Sequence, residues 1–260
     1  MVKDFENKYA LILGGSSGLG YASALKLAEN GMNLIIFYRA SRMQATEIET
    51  RFDIIRSFGI QLLTVNSDAT REDKLDENLE KLKTFLKDQK LSLLLHSISK
   101  GNLKPMTGDS TLSANDFQQT IHSMGISLYS WTKALFEAHL FAKPAKILSF
   151  TSEGSTRPMK SYAAVSAAKA TLEAMNRSIA IEFALHHITS NCIQAGVTDT
   201  LSLSMIPMYE ELKEESLKRN PNGELTTPER VANVVYLMTR EEASWITGSV
   251  IKVDGGESLQ

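Results

Sequence analysis

The sequence predicts a single α/β domain spanning residues 1–260, built on a doubly wound, parallel sheet of seven strands. Two observations carry this: apolar runs alternate with amphipathic segments along nearly the whole chain, and a glycine-rich stretch separates the first run from the first amphipathic segment. The runs are YALILGG (9–15), NLIIFYR (33–39), IQLLTVNSD (60–68), LSLLLHSI (91–98), AKILSFTS (145–152), ITSNCIQAG (188–196) and SVIKVDG (249–255). They are apolar without polar alternation, as strands buried on both faces are. Between them, YASALKLAEN and REDKLDENLEKLKTFLKDQK have helical spacing and charged outer faces. Such β–α alternation places a ligand at the carboxyl ends of the strands.

With 43% hydrophobic residues the chain can bury one large core, and no repeat, linker or low-complexity segment divides it. A net charge of −2 argues against nucleic acid as the main partner. No run of about 18 apolar residues points to a membrane span, and the polar opening MVKDFENK does not read as a signal peptide. The single Cys192 cannot form an internal disulfide and sits in an apolar run, so it is expected to be a core residue of a cytoplasmic protein.

LGGSSGLG (13–20) joins the first strand to the first helix. Gly14, Gly18 and Gly20 permit a tight turn and a close backbone approach to a pyrophosphate, and the helix N-terminus supplies N–H donors. Ser16 and Ser17 are candidates to donate hydroxyls to phosphate, to cap the helix, or both. The expectation is a dinucleotide-binding Rossmann fold. After the second strand comes FYRASR (37–42), with no carboxylate to hold a ribose 2′-hydroxyl. Arg39 and Arg42, with Ser41, could instead take a 2′-phosphate, which favours NADPH over NADH; the alternative is a pair of solvated arginines. Asp68, ending the third strand, is placed either to bond the adenine edge or to cap the helix beginning near Thr70.

Tyr162 and Lys169 lie seven residues apart near the start of a long helical stretch. At 100° per residue they return to nearly one face, roughly 10 Å apart along the axis, and can converge on one ligand. A lysine cation in that position is expected to lower the phenol's pKa by favouring its anion.

With loop, strand order and Tyr–Lys helix together, the sequence resembles the short-chain dehydrogenase/reductase family over essentially its whole length. LGGSSGLG, Asp68-Ala69, Tyr162, Lys169 and VDGG (253–256) carry the resemblance. Most of that family places the lysine four residues after the tyrosine, where this chain has Ser166. Tyr-x6-Lys and HSI (96–98) are similar to the divergent branch of bacterial enoyl-acyl-carrier-protein reductases, and the central-helix asparagine of the wider family falls on Met124. The NADH-dependent type of that branch carries a second tyrosine ten residues before the first, where this chain has Ser152. TSEGSTRPMKSYAAVSAAKATLEA is closer to the NADPH-dependent type III. Ser152 also lies 17 residues before Lys169, where ketone-reducing relatives place a catalytic serine.

The resemblance implies catalytic roles for Tyr162, Lys169 and Ser152, and extends the cofactor set to Leu19, Ala69, Ser97, Ile98, Gly196, Thr198 and Thr200. It implies NADPH-dependent reduction of a trans-2-enoyl thioester on acyl-carrier protein or coenzyme A, in fatty-acid or polyketide synthesis. It also implies a homotetramer assembled through the helical stretch 114–142 and the Tyr–Lys helix. Two other readings stay open: a ketoreductase, which Ser152 supports and Tyr-x6-Lys opposes, and a dinucleotide-binding regulatory protein without turnover.

The remaining features divide similarly. Segment 197–226 is expected to cover the substrate, with Leu201, Met205 and Met208 against the acyl chain; the alternative is a helix half-buried on the sheet. Lys100, Lys104, Arg157 and Lys160 form either a basic rim for an acidic carrier protein or ordinary solvated loop charges. His186-His187 are adjacent residues that point apart, so no metal is expected. Tyr129 and Trp131 are expected to be core or subunit-contact residues.

Overall fold

Seven strands pair in parallel throughout: β1 (Tyr9–Leu13), β2 (Asn33–Tyr38), β3 (Leu62–Asn66), β4 (Leu91–His96), β5 (Phe141–Ser152), β6 (Ile188–Ala195) and β7 (Val250–Val253). The computed structural model describes residues 3–200 and 209–260. The strand order is β3-β2-β1-β4-β5-β6-β7, the doubly wound arrangement expected from the sequence. Helices α1 (Gly18–Glu29), α2 (Ala45–Arg56), α3 (Leu75–Leu86), α4 (Ala114–Ile121), α5 (Ser127–Glu137), α6 (Ala163–Glu182), α7 (Tyr209–Arg219) and α8 (Pro228–Thr239) accompany it.

The unbroken apolar character of the strands has a direct cause. Leu11, Leu13, Ile35, Phe37 and Leu94 face Leu82 of α3, Trp131 of α5 and Leu172 of α6. Their chain neighbours Ala10, Ile12, Leu34, Ile36 and Leu95 face Leu27 of α1, Phe52 of α2 and Val235 of α8. Alternate residues therefore fill two separate cores, each large side chain contributing about 1.5–3 kcal/mol by leaving water. Strand β5 begins at Phe141 rather than 145 because it pairs early with Leu91 of β4. Cys192 is fully buried, as expected. No helix among the described residues is long and apolar enough to cross a membrane.

The long stretch expected as one helix is divided. Between α4 and α5, His122–Ile126 form a π-helical turn. Gly125 in that turn has no room for a side chain: a Cβ would lie 3.0 Å from Thr171 Cγ2 and 3.1 Å from the Ala168 carbonyl. The turn so pressed against α6 buries Met124 beside Val165 and Ala168. Trp131 is core, its indole N–H donating to the Ala69 carbonyl at 2.8 Å, whereas Tyr129 is exposed.

Strand order reverses between β1 and β4, which opens a crevice at their carboxyl ends. The turn after β1 is tight because Gly14 has φ +91° and its Cβ, if present, would lie 2.2 Å from the Ser97 carbonyl oxygen. Gly14→Ala should therefore destabilise the protein by about 1–3 kcal/mol from backbone strain alone, before any clash is counted. Denaturant unfolding of the variant checks this.

Candidate active site

A cleft of about 850 Å³ lies along the carboxyl ends of the strands. Gly14, Ser16, Ser17, Gly18 and Leu19 line one part of it, and Arg39, Asp68, Ala69, Ser97 and Ile98 lie alongside. Gly196, Thr198 and Thr200 follow from the β6 end, with Ser152, Tyr162 and Lys169 at the centre. The cleft thus brings together residues that lie as far apart in sequence as Gly14 and Thr200. Gly20 is not on its surface; it packs beneath the loop, where a Cβ would lie 2.1 Å from the Gly14 carbonyl oxygen. Arg42 also lies off the cleft wall. It opens a 3-10 turn (Arg42–Gln44) held by Ser41 and Gln44, so the expected arginine pair reduces to Arg39.

At the N-terminus of α1, Ser17 is the capping residue in extended conformation, but its side chain makes no capping hydrogen bond. The first-turn N–H groups, with this hydroxyl and the positive end of the helix, form an anion site. Behind the loop, Arg51 donates to the Ser16 carbonyl at 3.0 Å and is itself held by Glu47 at 2.6 Å. Arg51 lies 35 residues from Ser16, and nothing in the local pattern of α2 marked it.

Asp68 binds Thr70, where the capping alternative placed it, and two cations besides. Its Oδ1 accepts from the Thr70 backbone N–H (3.0 Å) and hydroxyl (2.6 Å), while Oδ2 accepts from Lys100 Nζ at 2.8 Å and lies 3.7 Å from Arg39 Nη1. Burial alone would raise its pKa, but the hydrogen bonds from Lys100 and Thr70 outweigh it and bring the carboxyl to about 2.

Tyr162 is not a helical residue. It is the N-cap of α6, with φ −114° and ψ 2°, and its hydroxyl lies 3.4 Å from Ser152 Oγ at the end of β5. Lys169 is 6% exposed and donates to the Phe150 carbonyl at 2.7 Å. Burial lowers its pKa to about 8, against the opposing pull of Cys192 and Glu173. Burial also raises the Tyr162 pKa, the Ser152 hydrogen bond working against it. This corrects the expectation of a lowered phenol: desolvation exceeds any help to the anion, and the group is a neutral proton donor at neutral pH. His96 beside them is fully buried, its Nε2 2.8 Å from Ser127 Oγ; burial and then the Lys169 charge hold its pKa at about 3, so it stays neutral.

Beside Tyr162 the wall is apolar, with Leu103, Met124, Met159, Val165 and Leu212 on the cleft. Val165 was findable, one turn along the helix from Tyr162; Leu103 and Met159 sit in loops without periodicity. Leu201, Met205 and Met208 lie outside the described residues. The rest of the expected covering segment comprises the 197–200 loop, helix α7 and the approach to α8. The basic rim is largely neutralised: Lys100 binds Asp68, Lys104 binds Asp116 at 3.1 Å, and Arg157 binds Glu215 at 2.6 Å. Lys160 is exposed. Among the described residues no cluster of metal-ligating side chains occurs, at His186-His187 or elsewhere.

Glycine loop, parallel sheet and a Tyr–Lys–Ser centre with its lysine buried define a nicotinamide-dependent oxidoreductase of the short-chain dehydrogenase/reductase class. Residues 14–258 match the family described as Enoyl-(Acyl carrier protein) reductase, and the chain belongs to that family. It is 28% identical to a 7alpha-hydroxysteroid dehydrogenase of Paraclostridium sordellii, over 98% of this chain and 93% of that one. It is 29% identical to a 3-oxoacyl-[acyl-carrier-protein] reductase of Synechocystis, over 95% of each. Among solved structures, an enoyl-[acyl-carrier-protein] reductase (NADH) of Aquifex aeolicus superposes with a TM-score of 0.84 at 28% identity, covering 98% of both chains.

Because Lys100 is the main cation on Asp68, Lys100→Met should move the Asp68 pKa from about 2 back toward the ordinary aspartate value. A carboxyl-carbon NMR titration of native and variant protein reads the shift directly.

Proposed function

We propose that this protein reduces the carbon–carbon double bond of a trans-2-enoyl thioester at the expense of NADPH. The observation that carries the reading is Tyr162 at the N-cap of α6, seven residues before Lys169, in an apolar wall formed by Leu103, Met124 and Val165. In ketone reduction hydride reaches the carbon that bears the reacting oxygen. In enoyl-thioester reduction hydride reaches C3 while charge develops on the thioester oxygen, a few bond lengths away. A tyrosine set back by one turn relative to the common Tyr–Lys spacing suits the second demand.

The residues present fit the cofactor. The α1 N-terminus offers a Ser17 hydroxyl not used in capping, and Arg39, 65% exposed at its side chain, follows β2 in a segment (37–42) that carries no carboxylate of its own. Gly14, Ser16, Gly18 and Leu19 would hold the pyrophosphate, Asp68 the adenine, and Ser97, Ile98, Gly196, Thr198 and Thr200 the nicotinamide half. Bound there, NADPH supplies the hydride. Lys169 keeps the local potential positive and holds the ribose; Tyr162, with Ser152 beside it, hydrogen-bonds the thioester oxygen as it becomes negative and releases its proton. The apolar wall excludes water from the acyl chain. Tyr129 on α5 and Ile126 in the π turn before it, with Ile181 on α6 and Leu185 in the turn after it, are exposed apolar residues on the two stretches expected to meet in a homotetramer. The lone buried Cys192 suits a cytoplasmic setting.

Following NADPH absorbance with crotonyl and acetoacetyl thioesters side by side tests the reading. Oxidation with crotonyl substrate supports it, and Tyr162→Phe should then lower kcat by about 10²–10⁴ with little change in NADPH Kd. Oxidation with acetoacetyl alone would make the protein a ketoreductase with Ser152 as full partner, the reading that the 3.4 Å Ser152–Tyr162 contact favours. Oxidation with neither would favour a regulatory dinucleotide-binding protein.

The Lys169 charge gives a second outcome. The amine is protonated below its pKa of about 8 and neutral above it, so NADPH binding should weaken as pH rises through about 8. Fluorescence titration across that range reads the affinity, and in Lys169→Met this pH dependence should disappear.

A further inference from the structure

The cleft contains an ion network that the reaction as described does not use. Glu153 directly follows Ser152, and both its carboxylate oxygens accept from Arg219 Nη2, at 2.7 and 2.9 Å. Arg219 is the last residue of α7, 66 positions away, and its side chain is only 13% exposed. The same guanidinium donates to the Glu257 carbonyl at 3.1 Å and the Gln260 carbonyl at 3.3 Å, and lies 3.7 Å from Glu257 Oε1. Glu257, 2% exposed, accepts in turn from the Val197 backbone N–H at 3.1 Å, at the root of the covering segment. Arg157 adds a second strap, reaching Glu153 at 3.5 Å and Glu215 of α7 at 2.6 Å.

This network grips the loop that sets the catalytic geometry. A Cβ on Gly154 would lie 2.5 Å from Tyr162 Cε1, so Gly154, the residue after Glu153, lies against the tyrosine ring. Ser166, standing where the common motif has its lysine, donates its hydroxyl to the Gly154 carbonyl. The loop is therefore clamped from α6 by Ser166 and from α7 by Arg219. A largely buried, multiply bonded guanidinium is costly to desolvate, and its partners, Glu153, Glu257 and Gln260, point to what it holds.

We propose that Arg219 is a positioning residue which, through Glu153, holds the Ser152–Tyr162 hydroxyl pair in register and ties that pair to the covering segment. The catalytic part of this inference rests on the enoyl-reductase reading; the mechanical part does not. The experiment compares native protein with Arg219→Met, both saturated with NADP⁺, by hydrogen–deuterium exchange. Amides of residues 153–162 should exchange at least about tenfold faster in the variant, with β4 unchanged. On the thioester that the native enzyme reduces, kcat should fall by about tenfold to a hundredfold while NADPH Kd stays within about twofold. Arg219→Lys, which keeps the charge, should recover part of the loss. Unchanged exchange across 153–162 overturns the proposal, as does a kcat loss matched by an equal loss of NADPH affinity. Should Arg219→Met fail to fold, Glu153→Gln must show the same faster exchange, and native exchange there overturns the proposal equally. If the native protein reduces no thioester, the reading of the reaction fails while the exchange result still decides the clamp.

Discussion

A single buried cation sets the terms for the rest of the site. Lys169 has been taken out of water, a step that costs several kcal/mol for an ammonium group, and it donates a hydrogen bond to the Phe150 carbonyl in partial compensation. With a pKa of about 8 it still carries its charge at neutral pH, in surroundings that screen it poorly. Burial, and then this charge, keep His96 neutral, while burial alone holds the proton on Tyr162. The centre holds one fixed positive charge and a neutral acid, an arrangement whose natural complement is an oxygen that becomes negative only during reaction.

Placing the phenol is a separate problem from placing the amine. Lys169 rides on the second turn of α6, so the helix and the β5 carbonyl fix it together. Tyr162 precedes the helix, and its orientation depends on the loop that leads from Ser152. A spacing of seven read as one helical face therefore reached the right neighbourhood for a partly wrong reason. What the helix does not dictate, the loop must, and the loop has few residues of its own to bury. Its rigidity comes from Ser166 below and from the Arg219–Glu153 pair above.

The fold was legible because its evidence is local: seven apolar runs, a glycine turn and amphipathic helices each announce themselves within a dozen residues. That Gly14, Gly18, Asp68, Ser152, Tyr162 and Lys169 share one cleft was legible for the same reason, since they are fixed to strand ends or helix starts. The failures share the opposite property. Arg39 and Arg42 look equivalent as letters, yet one stays on the cleft and the other enters a 3-10 turn. The π turn at His122–Ile126 has an unremarkable helical sequence and brings Gly125 close against α6, a contact between distant residues. Lys100, Lys104 and Arg157 read as a basic rim or as solvated loop charges because their carboxylate partners lie 32, 12 and 58 residues away. Arg51 and Arg219 were invisible on the same ground, since pairings over 35 and 66 residues have no period.

That pre-pairing has a consequence for selectivity. An anionic ligand entering the cleft meets cations already bound to carboxylates, and must offer each one more than it gives up. Lys100 holds Asp68 at 2.8 Å, and Arg219 holds Glu153 through two contacts while 13% exposed; neither is released cheaply. Arg39 is different. It is 65% exposed and stands 3.7 Å from Asp68, a contact that water screens and that contributes on the order of 1 kcal/mol or less. A 2′-phosphate brings nearly two charges and a fork of acceptors, so turning Arg39 toward it loses little and gains charge-assisted bonds. Asp68 keeps Lys100 and Thr70 throughout, and so remains ionised and in place when Arg39 leaves it. On the proposed NADPH reading, one arginine could thus turn to the phosphate without disturbing Asp68.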